Sequence, residues 1–204
     1  GRRGSFTGSL TVKGIQGHVG YPDLAENPIN SLLKMLEPFS KIYLDKGTNE
    51  FQPSSVMVTT IDVNNDASNV IPGEVKAKFN IRFNTLHSVA SLQSMLKKQF
   101  DAITKNYEFD YFCNAEPFLT SDEELKSTLQ NAITKVVNVN PEKSTTGGTS
   151  DARFITKLCP VIEFGLVGKT MHKIDENVEV EDIMKLTNIY NKFLHNYFRV
   201  EKND

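Results

Sequence analysis

The sequence predicts an α+β fold whose leading part is a ferredoxin-like β-α-β-β-α-β layer over residues 5–115. Three observations carry this. Two stretches, Phe6–Val12 and Val75–Phe83, alternate apolar and polar side chains residue by residue, the period of a half-buried strand. Two others place apolar residues at three- and four-residue steps, the period of an amphipathic helix. Their order along the chain is that of two helices laid on one face of a four-stranded antiparallel sheet.

Phe6, Gly8, Leu10 and Val12 share one face of the first strand, with Thr7, Ser9 and Thr11 on the other. Gly14–Pro22 follows as a loop with three glycines and a closing proline. Asn27 before Pro28 reads as an N-cap with proline at the first helical position. From there Ile29, Leu32, Leu33, Leu36, Phe39, Ile42 and Tyr43 mark a helix that Pro38 should kink. Val56–Val63 is a β-branched strand and Asn64–Asp66 a turn. Val75, Ala77, Phe79, Ile81 and Phe83 then alternate with Lys76, Lys78, Asn80 and Arg82. Val89, Leu92, Leu96 and Ile103 place a helix over 88–104, and Tyr107–Cys113 reads as the fourth strand. Beyond Pro117 the organisation changes. Ser121–Glu124 reads as a capping box opening a helix to about Val139. A short helix over 151–158, a short strand Val161–Phe164 and a terminal helix over 179–197 complete the chain. The apolar side of that last helix is Ile183, Leu186, Ile189, Tyr190, Phe193, Leu194 and Tyr197. One lone strand among helices does not make a layered domain.

With 204 residues, the chain is long enough for one large or two small domains. Its 23 basic and 25 acidic side chains give a net charge of −2, which offers no positive field to hold nucleic acid. No apolar run is long enough to cross a membrane, and Gly1–Ser5 is basic without an apolar stretch after it, so no signal peptide is read there. Cys113 and Cys159, 46 positions apart, suggest two reduced thiols in a cytoplasmic protein.

The four histidines form no HxH, HxxxH or HxD pair, so no helix or strand supplies two metal ligands at once. His87 and His195 read as surface histidines. His18 lies between Gly17 and Gly20, which allow close backbone approach. It is either a turn histidine or a hydrogen-bond donor to a developing oxyanion. Thr146–Arg153 is a glycine turn entering a helix. It reads either as an ordinary capped start or as an anion cradle in which Thr149 adds a hydroxyl and Arg153 a bidentate grip. His172 follows a glycine-rich loop and would need ligating partners from elsewhere. Arg82, on the wet face of its strand, and Asn69, in the Ser68–Gly73 turn, could join His18 on one polar surface.

Taken in order, Gly1–Ser5, Gly14–Pro22 with Leu24–Pro28, Ser68–Glu74, Phe79–Phe83, Thr146–Asp151 and His172-Lys173 resemble the succinyl-diaminopimelate desuccinylase family. These are two-zinc amidohydrolases related to aminoacylases, acetylornithine deacetylase and glutamate carboxypeptidases. The resemblance implies a lid and dimerisation domain over 4–116 and the C-terminal segment of a split α/β zinc-hydrolase catalytic domain over 117–204. It implies hydrolysis of N-succinyl-diaminopimelate to succinate and diaminopimelate, in lysine and cell-wall precursor biosynthesis. It casts His172 as a zinc ligand and His18 as the catalytic lid residue that polarises the scissile carbonyl in the partner subunit's site. Asn69 would approach that same site, and Arg2, Arg82, Thr149 and Arg153 would hold substrate carboxylates. The first histidine ligand, the bridging Asp, the Glu base and the other acidic ligand of the family have no counterpart in this sequence. Metal-assisted hydrolysis needs them. The expectation is therefore a cytoplasmic homodimer that pairs through 4–116 and does not by itself hold zinc or turn over substrate, with no nucleic-acid or membrane partner. Gly20, Asp23, Ala152, Gly168 and Asp175 depart from the residues common in the family, and Gly168 removes a side chain near the substrate. Two other readings stand beside this one: a non-catalytic interaction module descended from the enzyme, and a sister amidohydrolase for another acyl-amino acid.

Overall fold

The computed structural model describes residues 1–199. It divides into two compact units: a sheet unit, Arg2–Phe118 with Thr145–Arg153, and a tail unit, Gly1, Leu119–Ser144 and Phe154–Asp204. The last five positions of the expected 117–204 segment lie outside the described residues.

Strands β1 (Gly4–Lys13), β3 (Ser55–Asp62), β5 (Glu74–Phe83) and β6 (Tyr107–Ala115) form one sheet in the order β3-β5-β1-β6. Every neighbouring pair is antiparallel, with Gly4 opposite Phe83 and Lys13 opposite Glu74 across β1 and β5. This is the ferredoxin-like arrangement that the element order predicts. Phe6, Leu10 and Val12 from β1 and Val75, Ala77, Phe79, Ile81 and Phe83 from β5 are all buried in one core. Helices α1 (Pro28–Leu36) and α2 (Val89–Asp101) close it with Leu32, Met35, Leu36, Leu92, Leu96 and Phe100. Gly8 faces the same way. A Cβ there would lie 2.3 Å from the Phe79 ring, so the glycine makes room for the aromatic. Phe79 in turn sits 5.0 Å from Phe39 and 6.2 Å from Phe109, ring centre to ring centre.

Local signals place the helices. The Asn27 side chain accepts from the Ile29 N–H at 3.0 Å, with Pro28 opening α1. The expected kinked helix to Tyr43 is instead an α-helix ending at Leu36 and a 3-10 turn over Glu37–Ser40. Pro38 brings no N–H to an i−4 carbonyl and crowds the preceding turn, so the helix tightens and stops. Ile42 and Tyr43 consequently lie outside it and exposed. Ser88 and Ser91 cap α2 reciprocally, and that helix ends three residues short of Thr104.

Two further strands, β2 (Gly17–His18) and β4 (Val70–Ile71), pair as a short antiparallel ribbon.

In the tail unit α3 (Glu123–Val137) is capped by Asp122, which accepts from Leu125 N–H at 2.8 Å, rather than by a box built on Ser121. Asn138, at φ 54°, ends it in the left-handed region. The short helix α4 is one turn, Ala152–Ile155. Val161–Phe164 is not a strand. A strand needs a ladder, and no described segment offers one. Ile162 and Phe164 instead pack against the cluster that Leu129, Ala132 and Ile133 of α3 make with Ile189 of α5 (Val180–Tyr197). Cys113 and Cys159 are both free, and no helix among the described residues is long and apolar enough to cross a membrane.

Candidate functional site

The expected site residues fall into three groups. The first is the ribbon. His18 pairs with Val70, Gly17 with Ile71, and the Val19 N–H donates to the Asn69 carbonyl at 3.1 Å. His18 and Asn69, 51 positions apart in sequence, are thus neighbours on one exposed arm. The Asn65 side chain braces that arm: Nδ2 donates to the Val70 carbonyl at 2.9 Å and Oδ1 accepts from Ala67 N–H. The ring of His18 is itself oriented. Its Nδ1 accepts from the Gly20 N–H at 3.0 Å. A nitrogen that accepts carries no proton, so in the neutral imidazole the proton sits on Nε2, free to donate outward. Tyr21 lies alongside, ring centres 5.8 Å apart.

The second group is a cationic corner at the other end of the sheet unit. Arg2 is fixed by backbone bonds to Phe118, and its guanidinium donates to the Thr146 carbonyl. Gly147, at φ 95°, turns the chain there, and a Cβ on it would lie 2.7 Å from Arg2 Nη1. Thr149 and Arg153 are half-buried in the same segment, with Arg153 Nη1 donating to the Ser150 carbonyl at 3.1 Å. Arg82 projects from the wet face of β5 opposite Ser5, next to Asn80, whose side chain donates to Thr7. Arg3 carries no local signal in the sequence that marks it as a site residue. Burial lowers its pKa, and the nearby Arg82 charge lowers it further. Its Nη1 donates to the Pro53 carbonyl at 3.1 Å. Two guanidinium groups that feel each other's charge at one end of the sheet suit an anion. The expected helix-start cradle is not what the segment offers, because α4 has only four residues. What remains is the Thr146–Asp151 loop itself.

The third group is His172 alone, in the tail unit. It is exposed, at φ 63° in the left-handed region, and its own N–H donates to Glu176 at 3.3 Å. Among the described residues no three His, Cys, Asp or Glu side chains gather as a metal site. One exposed imidazole is not a zinc donor set, which takes three or four ligands.

Geometry separates the first two groups. β1 runs from Gly4, beside the cationic corner, to Lys13, beside the ribbon. At about 3.3 Å per residue a strand of this length spans roughly 30 Å. His18 and Asn69 therefore do not reach the arginines of their own chain.

The family profile described as "Peptidase dimerisation domain" matches residues 1–108. The chain is 52% identical over 202 residues to the succinyl-diaminopimelate desuccinylase of Pelagibacter ubique, covering 97% of this chain and 53% of that protein. It is 48% identical to the enzyme of the same name from Parvibaculum lavamentivorans, covering 97% and 51%. The chain thus spans about half the length of the curated relatives it matches. Among solved structures, aminopeptidase PepT from Bacillus cereus superposes with a TM-score of 0.77 at 15% identity, over 96% of this chain and 52% of that one. An M20 family metallo-carboxypeptidase from Sulfolobus solfataricus gives 0.74 at 18%, over 97% and 59%. At these identities the two superpositions speak for the fold.

Proposed function

The chain belongs to the peptidase dimerisation domain family, and we propose that it is part of a cytoplasmic succinyl-diaminopimelate desuccinylase. Residues 4–116 would be the lid and dimerisation domain, and 117–204 the C-terminal segment of the catalytic domain. Identity near 50% to proteins of that name supports the substrate. The observation that carries the mechanism is the separation of the two groups along β1. A lid histidine about 30 Å from the carboxylate-binding arginines of its own chain serves a site only in a second copy. His18 Nε2–H then donates to the amide oxygen of a substrate held by the other protomer and stabilises charge as it develops there. Asn69 enters with it, since one ribbon carries both. Arg2, Arg82, Thr149 and Arg153 receive the carboxylates of the acyl-amino acid. His172 is offered as a single ligand to zinc. The described residues do not supply the rest of a metal site, so no chemical step by this chain is routed through the metal.

Two measurements test this. Sedimentation velocity at micromolar concentration should find a dimer, and a chain that stays monomeric overturns the lid reading. Succinate release from N-succinyl-diaminopimelate with added zinc should stay at background, and turnover by this chain would falsify the assignment of the metal ligands to residues it lacks.

A further inference from the structure

We propose that Asp45 is a positioning residue for the Thr145–Asp151 loop, an inference that rests on reading that loop as a carboxylate-binding element.

Asp45 sits between the 3-10 turn and β3, with its side chain only 12% exposed. Its carboxylate gathers donors from three directions. Oδ1 accepts from Gly47 N–H at 2.6 Å, Ser54 N–H at 3.1 Å and Asn84 Nδ2 at 3.0 Å. Oδ2 is 3.1 Å from His87 Nε2. Asn84 also donates to the Gln52 carbonyl, and its own N–H is taken by the Ser54 hydroxyl. One carboxylate thereby ties the 45–54 loop to the turn between β5 and α2. Burial resists its ionisation, but bonds from the Ser54 side chain, from the Gly47 and Ser54 N–H groups and from Asn84 outweigh it and hold the acid below its ordinary range.

The set contains a serine, a histidine and an aspartate, yet it is not a nucleophilic site. Ser54 is fully buried and its hydroxyl faces the carboxylate rather than the imidazole. A buried charged network is also weak evidence of stabilisation for its own sake. Its output lies in what the loop presents. The Thr48 hydroxyl accepts from the N–H groups of Glu50 and Phe51, which sets the Glu50 peptide. The Glu50 carbonyl then accepts from Thr145 Oγ1 at 2.5 Å, and the Pro53 carbonyl from Arg3 Nη1 at 3.1 Å. Residues 144–151 have no helix or strand of their own, so the bond from Thr145, buried at its start, is one anchor of the loop, beside that of Arg2 to the Thr146 carbonyl. Asp45 thus fixes the loop whose carbonyls seat both Thr145 and Arg3.

The test is amide hydrogen exchange on the full chain. In Asp45→Ala, amides of 145–151 should exchange about tenfold faster while those of β1 and β5 stay protected, as expected for losing about one hydrogen bond's worth of local order. Asp45→Asn keeps an oxygen for Gly47, Ser54 and Asn84 and should restore most of the protection. If Asp45→Ala does not fold, Thr145→Val removes only the hydroxyl donor and should loosen the same amides. Unchanged exchange at 145–151 overturns the inference, as does a rise spread evenly over the sheet. Titration with succinate separates the two readings. If succinate fails to shift wild-type Thr149 and Arg153 while Asp45→Ala still loosens the loop, the carboxylate reading falls and the positioning role stands.

Discussion

Among the described residues, the core cluster of the sheet unit holds sixteen buried residues, whereas that of the tail unit holds four. Both units present amphipathic helices, so periodicity alone does not explain the contrast. In the sheet unit each apolar face has an opposing layer: α1 and α2 meet the inward side chains of β1 and β5. In the tail unit, among the described residues, α3 and α5 meet each other and only the irregular segment that carries Ile162 and Phe164. Of the apolar side of α5, Ile189 is buried, while Ile183, Tyr190, Leu194 and Tyr197 are exposed. Scattered exposed apolar residues are ordinary, whereas here they follow one side of a single helix. A periodic pattern fixes which face is apolar and says nothing of whether this polypeptide covers it.

The comparison breaks most sharply at the cores. Phe79→Ala should cost about 3–5 kcal/mol, since it empties the centre of the aromatic cluster. Ile189→Ala should cost near the low end of the range for such a change, about 2 kcal/mol, because its loosely enclosed site can collapse. Urea unfolding of the two variants measures both, and equal losses would mean that the tail unit has a core as tight as the sheet. Next in size is Gly8→Ala. Its Cβ would press on the Phe79 ring at 2.3 Å, and overpacking of this kind costs about 1–3 kcal/mol. An unchanged urea midpoint would show that the sheet core has slack.

A smaller effect comes with acid. The folded Asp45 carboxyl lies below its ordinary value of 3.8. Its contribution is therefore fully present above that value and is lost as pH falls from there through the lower folded one. Stability of the sheet unit should drop on acidification in that window. Asp45→Asn should flatten this part of the curve, while the tail unit, followed by exchange at α3, should not change between wild type and variant. Identical acid profiles for wild type and Asp45→Asn would remove Asp45 from the account.

The sheet was legible because its signals are local. β1 and β5 announce themselves by strict alternation over Phe6–Val12 and Val75–Phe83, and α1 by Asn27-Pro28. What escaped was set by distance in the chain. β2 and β4 have two residues apiece, too short for any period, and exist because residue 17 finds residue 71. His87 read as a surface histidine because nothing nearby in sequence names Asp45 as its partner, 42 positions away. Val161–Phe164 failed for the opposite reason. Its composition suits a strand, but the ladder that makes one must come from another segment. The candidate site follows the same division. His18, Asn69 and Arg82 were each noticed for local reasons, whereas the end-to-end separation that keeps His18 from Arg82 required the register of β1 with β5.

The two units also differ in how they hold a histidine, and this gives the smallest effect. His18 Nδ1 takes the Gly20 N–H, while among the described residues the His172 ring has no hydrogen-bond partner and only its backbone is tied, to Glu176. One hydrogen bond worth about 1 kcal/mol biases the tautomer equilibrium several-fold. Nitrogen NMR of the neutral rings should therefore show His18 mostly protonated on Nε2. His172, whose ring takes no such bond among the described residues, should show a smaller tautomer bias and averaged shifts. Gly20→Ala keeps the N–H but sets a Cβ 3.1 Å from Nδ1, so the ring must give slightly while the tautomer is retained. Should His18 show the same averaged shifts as His172, the glycine-bracketed loop would lose its role in aiming a donor, and the catalytic reading of His18 would rest on its place in the ribbon alone.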